Sequence, residues 1–166
     1  MTFRPDQRNI ECQVMTTTGW LRGTFHVPQS GAFLDQLNLR KPFFGMTDVT
    51  FPGRDVVLSF LALRRQSVVL VVPPVTAKHL SRESGEDLRV KRVSCLFDGG
   101  IAVGNLWIDP QLRVSDFLAK QTGYFLLRRT RLLLGRFQDD FWVEEEHAVT
   151  AVNSSAIIGV TESDLA

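Results

Sequence analysis

The three histidines are the residues best suited to acid–base chemistry near neutral pH. His26 falls at the end of an expected strand, His79 in a polar stretch and His147 directly after Glu144-Glu145-Glu146. A general base needs a nucleophile or an acid within hydrogen-bond reach, and no motif sets one beside any of these. Solvated or internally satisfied imidazoles are therefore expected. The chain has no Gly-Lys-Ser/Thr phosphate loop, no His-Glu-x-x-His and no Gly-x-Ser-x-Gly. Cys12 and Cys95 stand singly in apolar segments, without metal-ligand spacing. They read as small core residues in a reducing compartment. No catalytic, cofactor or metal residue is assigned, and the expectation is a protein that is not an enzyme.

Anion binding is the other chemistry in view. Arg128, Arg129 and Arg131, with Arg136 beyond, form the densest basic stretch. Across the same expected hairpin lie Asp139, Asp140 and Glu144–Glu146, which could neutralise it by cross-strand pairing. A solvated, charge-laced face is the plainer reading. A strand of nucleic acid along these arginines is the alternative. Trp20, near a hairpin tip, joins the four arginines as a candidate contact residue.

These residues sit in an ordinary globular composition: 166 residues, 44% hydrophobic and 22% charged, with 19 Lys+Arg against 18 Asp+Glu. A net charge of +1 removes the simplest electrostatic case for a nucleic-acid binder. No run approaches the 18 apolar residues of a membrane span. The opening Met-Thr-Phe-Arg-Pro-Asp-Gln-Arg-Asn lacks the apolar core of a signal peptide and is expected to be a short flexible tail. A soluble, cytoplasmic protein is the expectation.

An internal match organises the rest. At a shift of 81, Gly19 meets Gly100, Gly23 meets Gly104, Asp35 meets Asp116 and Phe43-Phe44 meets Tyr124-Phe125. Beyond that the shift is 89: Ala62-Leu63 meets Ala151-Val152, and Val68, Val69 and Val71 meet Ile157, Ile158 and Val160. One eight-residue insertion near Gln138-Asp139-Asp140 accounts for the change. The pattern reads as a tandem duplication. A first unit spans 10–74, its last strand ended by Pro73-Pro74, a linker covers 75–88, and a second unit spans 89–162.

Each unit reads as five short strands, with a turn at Pro52-Gly53-Arg54-Asp55 among the punctuation. A brief helix falls between the second and third strands, at 31–38 and after Ser115, which is the expected N-cap with Gly123 as the stop. Asp35 and Asp116 admit two readings: symmetric binding acids, or carboxylates that accept backbone N–H groups at the helix start. The second explains their recurrence without a ligand. Gly19, Gly100, Gly23 and Gly104 read as backbone requirements, the first pair for a positive-φ turn and the second for a bent strand. The expected fold is mainly β: two tandem five-stranded small β-barrels of SH3 or Sm type. A barrel of this size buries a modest core and gains from a neighbour. Residues 1–75 carry +3 and 76–166 carry −2, signs compatible with docking or head-to-tail association.

Gly19-x-x-x-Gly23, Leu34-Asp35-x-Leu37-Asn38, Phe43-x-x-Met46-Thr47-Asp48-Val49 and Arg113-Val114-Ser115-Asp116-x-Leu118 resemble a bacterial family of small Sm/SH3-like barrel proteins with no assigned activity. That resemblance implies the fold and carries no mechanism. Gly19, Gly23, Asp35 and Asn38 are more distantly similar to the first motif of the Sm-like RNA-binding barrels. The function expected is a protein-interaction or scaffold module that binds a partner or itself, with Sm-like binding of RNA or single-stranded DNA as the alternative.

Overall fold

The computed structural model describes residues 6–82 and 87–162. The chain divides after Arg82 into two compact units. Residues 1–5 of the expected tail and 83–86 of the expected linker lie outside the described residues.

Unit 1 contains β1 (Gln7–Thr16), β2 (Gly19–Pro28), α1 (Phe33–Leu37), β3 (Phe43–Thr50), β4 (Val57–Arg64), a 3-10 turn (Arg65–Ser67) and β5 (Val68–Val72). Its antiparallel order is β5-β1-β2-β3-β4. Unit 2 contains β6 (Arg89–Phe97), β7 (Gly100–Ile108), α2 (Val114–Lys120), β8 (Tyr124–Leu134), β9 (Val143–Asn153), a 3-10 turn (Ser154–Ala156) and β10 (Ile157–Thr161). Its order is β10-β6-β7-β8-β9.

Each unit is thus mainly β, with a short helix after its second strand. The expectation of closed barrels needs a correction at this level. Among the described residues no ladder joins β4 to β5 or β9 to β10, so neither set of strands is closed on itself by hydrogen bonds.

The ladders of the two units correspond pair by pair. Thr16 pairs with Gly19 and Phe97 with Gly100, an offset of 81. Phe43 pairs with Arg64 and Tyr124 with Asn153, where the far strand is offset by 89. Val14 pairs with Val71 and Cys95 with Val160, and in both ladders the register slips at the next residues. Val-Val-Leu-Val-Val of β5 is buried throughout, as a continuous apolar run requires.

Unit 1 packs Phe25 edge-on against Phe33 and Phe44, at 6.0 and 5.8 Å between centroids. Leu37, Met46, Val49 and Leu70 complete that core. In unit 2, Tyr124, Leu127, Leu132 and Ile108 are the largest fully enclosed side chains, and Phe117 meets Phe125 edge-on at 5.9 Å.

Several local expectations are revised. The helix after β7 begins at Val114 with Arg113 as N-cap, so Ser115 lies within it and caps nothing; Gln121, not Gly123, is its C-cap. Its first N–H goes to the Glu162 carboxylate at 3.2 Å, which also meets Lys91 at 3.3 Å. Those contacts hold the Glu162 carboxyl below its usual range, the Val114 N–H first among the causes. In α1 the Phe33 and Leu34 N–H groups donate to the His79 and Leu80 carbonyls. Asp35 pairs with Arg82 at 2.6 Å instead of capping the helix.

Gln7–Asn9 of the expected tail belong to β1. Arg8 donates to the carbonyls of Gly31, Lys78 and His79, so residues 75–82 of the expected linker run against unit 1. Gly19 has the positive φ its turn needs (136°), but in the second unit that role passes to Gly99 (110°), while a Cβ on Gly100 would collide with the Leu133 carbonyl.

The bent-strand glycines do act through close approach. A Cβ on Gly104 would lie 2.8 Å from Cβ of Leu127 and 3.2 Å from the Arg128 carbonyl. At Gly23 the corresponding neighbours are the pliable Met46 Cε at 2.8 Å and Val49 Cγ2 at 3.0 Å. Gly104→Ala should therefore destabilise the fold by about 1–3 kcal/mol, Gly23→Ala by less, and Gly159→Ala, with nothing within 4 Å, scarcely at all. Thermal unfolding of the three variants tests the order; an equal loss at all three positions contradicts it.

Candidate functional site

The β7–β8 ladder positions the basic residues. Val103 pairs with Arg131, but Asn105 pairs with Arg128, so β8 has one extra residue opposite Gly104. This is a β-bulge, which bends a strand and re-aims its side chains. Arg129 takes the strain, with φ of 51° in the left-handed region. Thr130 beside it is buried, and its hydroxyl donates to the Leu127 carbonyl at 3.0 Å.

Arg92 on β6 pairs in register with Asn105. Its Nη1 donates to Asn105 Oδ1 at 3.1 Å and to the Arg129 carbonyl at 3.0 Å, tying three strands together at the bulge. A cavity of about 660 Å³ opens here, lined by Arg92, Asn105, Arg129 and Arg131 and, from β9, by Glu146 and His147. Arg131 Nε lies 3.6 Å from Glu144, and His147 Nε2 lies 3.2 Å from Glu145. Three arginines thus line one cavity with Glu146, and Glu144 and Glu145 lie beside two of its lining residues. Such an arrangement offers planar arrays of N–H donors to an oxyanion.

The arginine run is not a single stripe. Arg129 and Arg131 line the cavity. Arg128 turns onto the Trp107 ring, 3.9 Å from its centroid. Arg136 lies in the β8–β9 loop, where its N–H donates to Asp139 Oδ2 at 2.7 Å and its guanidinium is 3.8 Å from Asp98. Trp20 is half-buried on β2 opposite Met15, in unit 1. Asp116 sits in the first turn of α2.

No sequence motif marks Arg92 or Asn105, and His147 reads from the sequence as a solvated imidazole. Asp98-Gly99 is a two-residue hairpin signal that fixes the Arg92–Asn105 pairing, so register counting could have found the first two. His26 is internally satisfied: Nδ1 meets Asn9 Oδ1 and Nε2 meets Thr47 Oγ1, both at 2.7 Å.

Unit 1 builds the same bulge with different side chains. Arg22 pairs with Thr50 and Thr24 with Thr47, and Asp48 takes φ of 51°. Glu11 pairs with Thr24, as Arg92 does with Asn105. Two acids therefore stand where unit 2 has two arginines.

A second surface lies on β4, which among the described residues has a ladder with β3 alone. Val57 and Phe60 on it are 66% and 59% exposed. Across that ladder Phe43 is also exposed, with Arg64 4.9 Å over its ring. In unit 2, β10 likewise pairs only with β6 among the described residues, and it exposes Ile158.

Among the described residues no three His, Cys, Asp or Glu side chains gather as metal ligands, and no helix is long and apolar enough to cross a membrane. No family model, curated protein or solved structure matches the chain.

Both thiols are free and buried. Burial pushes the Cys95 thiol up to about 12, and burial with the nearby Glu11 charge drives Cys12 upward as well. Unfolded thiols ionise near pH ~8.5. The stability these protonated thiols contribute is therefore complete below that pH and is lost as pH rises towards the folded values. Urea midpoints should fall between pH 8 and 11, with a shallower slope in Cys95→Ala; a slope unchanged by the substitution contradicts the assignment.

Proposed function

We propose that the chain is a duplicated protein of two small, open antiparallel β units, located in the cytoplasm, that acts without catalysis, as an association module. The observation that carries the reading is the open edge of β4 with Val57 and Phe60 exposed beside it. An unpaired edge strand with apolar side chains is a template for strand addition. The occupant proposed is a second copy of the chain, because β10 supplies an edge of the complementary kind with Ile158 exposed. β4 of one copy against β10 of the next is a head-to-tail contact, which gives closed rings or filaments. The free thiols of Cys12 and Cys95 fit a reducing compartment.

Binding of nucleic acid along Arg128–Arg136 has less support, since those four side chains take three separate settings. Light scattering behind size-exclusion chromatography tests the proposed association. The expected mass is a multiple of 18.7 kDa that rises with concentration, with Val57→Lys or Phe60→Glu returning it to the single chain. A single-chain mass for the unaltered protein at every concentration would overturn it.

A further inference from the structure

We propose that the cavity at the β7–β8 bulge of unit 2 is a binding site for a small phosphate-bearing anion of about nucleotide size. This goes beyond association through β4 and does not depend on it. Three observations carry it.

The first is geometric. Arg92, Arg129 and Arg131 reach one cavity from two strands, together with the Asn105 amide and the His147 imidazole. A planar carboxylate is served by one guanidinium fork, whereas a tetrahedral phosphate accepts donors from several directions. A volume of about 660 Å³ lies within the range of small-molecule sites. Glu146 lines the same wall, and Glu144 takes part of the Arg131 charge. Glu145 lies 3.2 Å from His147, so the site rests on the convergence of several N–H donors on one cavity and not on its net charge.

The second is strain. A left-handed φ favours Gly, Asn or Asp over a long side chain, and unit 1 does use Asp48 at this place. Arg129 occupies it against that preference, which points to a constraint other than folding.

The third is the comparison between units. Unit 1 makes the same bulge with Glu11 and Asp48 where unit 2 has Arg92 and Arg129. The fold does not require arginine here. The arginines are a property of this site.

The test is a calorimetric and NMR titration of the full chain with ADP, pyrophosphate, adenosine and a single-stranded oligonucleotide. ADP and pyrophosphate should bind and shift the amide signals of Asn105, Arg129 and His147, while adenosine should not bind. Arg129→Asn suits the left-handed backbone and is the deciding variant; it should weaken ADP and pyrophosphate by roughly tenfold or more, as loss of a charged hydrogen bond does. Arg92→Gln should weaken them similarly, and Arg136→Gln should leave both unchanged. Unfolding curves of Arg129→Asn should match the parent, which separates lost binding from lost fold. The proposal is overturned by any of three results: no binding of ADP or pyrophosphate at millimolar concentration, binding indifferent to Arg129→Asn, or binding of the oligonucleotide alone.

Discussion

Gly104 lets one strand approach the next more closely than a side chain allows, and its counterpart Gly23 sits against the more pliable Met46 and Val49 side chains. In unit 2 the Leu127 Cβ and the Arg128 carbonyl occupy the space a Cβ would need. Accommodating that approach puts one extra residue into β8 and a left-handed φ on it. The bend then decides where neighbouring side chains point. Arg129 lines the cavity, and its carbonyl accepts from Arg92. The site is a consequence of a packing constraint in the sheet.

The same constraint operates in unit 1 with other chemistry attached. Thr47–Val49 form the bulge there, Asp48 carries the positive φ, and His26 bridges Asn9 and Thr47 across the strands. One backbone solution thus presents acids in one unit and bases in the other. Function on such a scaffold resides in the side chains placed at the bulge and on the edges.

Much of this was legible in the residues because local rules are strong where they act. The Pro52-Gly53 turn, the Asp98-Gly99 hairpin and the apolar run Val68–Val72 each announce their element with little tertiary help. The offsets of 81 and 89 in the sequence are those at which the ladders correspond. Helix starts were less legible. Ser115 and Asp35 look like caps, yet distant groups satisfy the first N–H groups: Glu162 in α2, and the His79 and Leu80 carbonyls in α1. Arg8, read as part of a loose tail, is anchored by three carbonyls that no local pattern foretells. The settings of the basic run were not legible for a related reason. Period-two alternation fails at a bulge, so Arg128 and Arg131, three residues apart, pair with Asn105 and Val103, two residues apart on β7.

The backbone at the two bulges can be read directly by solution NMR of the intact chain. Intraresidue HN–Hα couplings and carbon shifts should place both Asp48 and Arg129 at positive φ, with cross-strand contacts that join Asn105 to Arg128 and Val103 to Arg131. Negative φ at both residues, with Asn105 instead facing Arg129 in an unbroken ladder, would contradict the account.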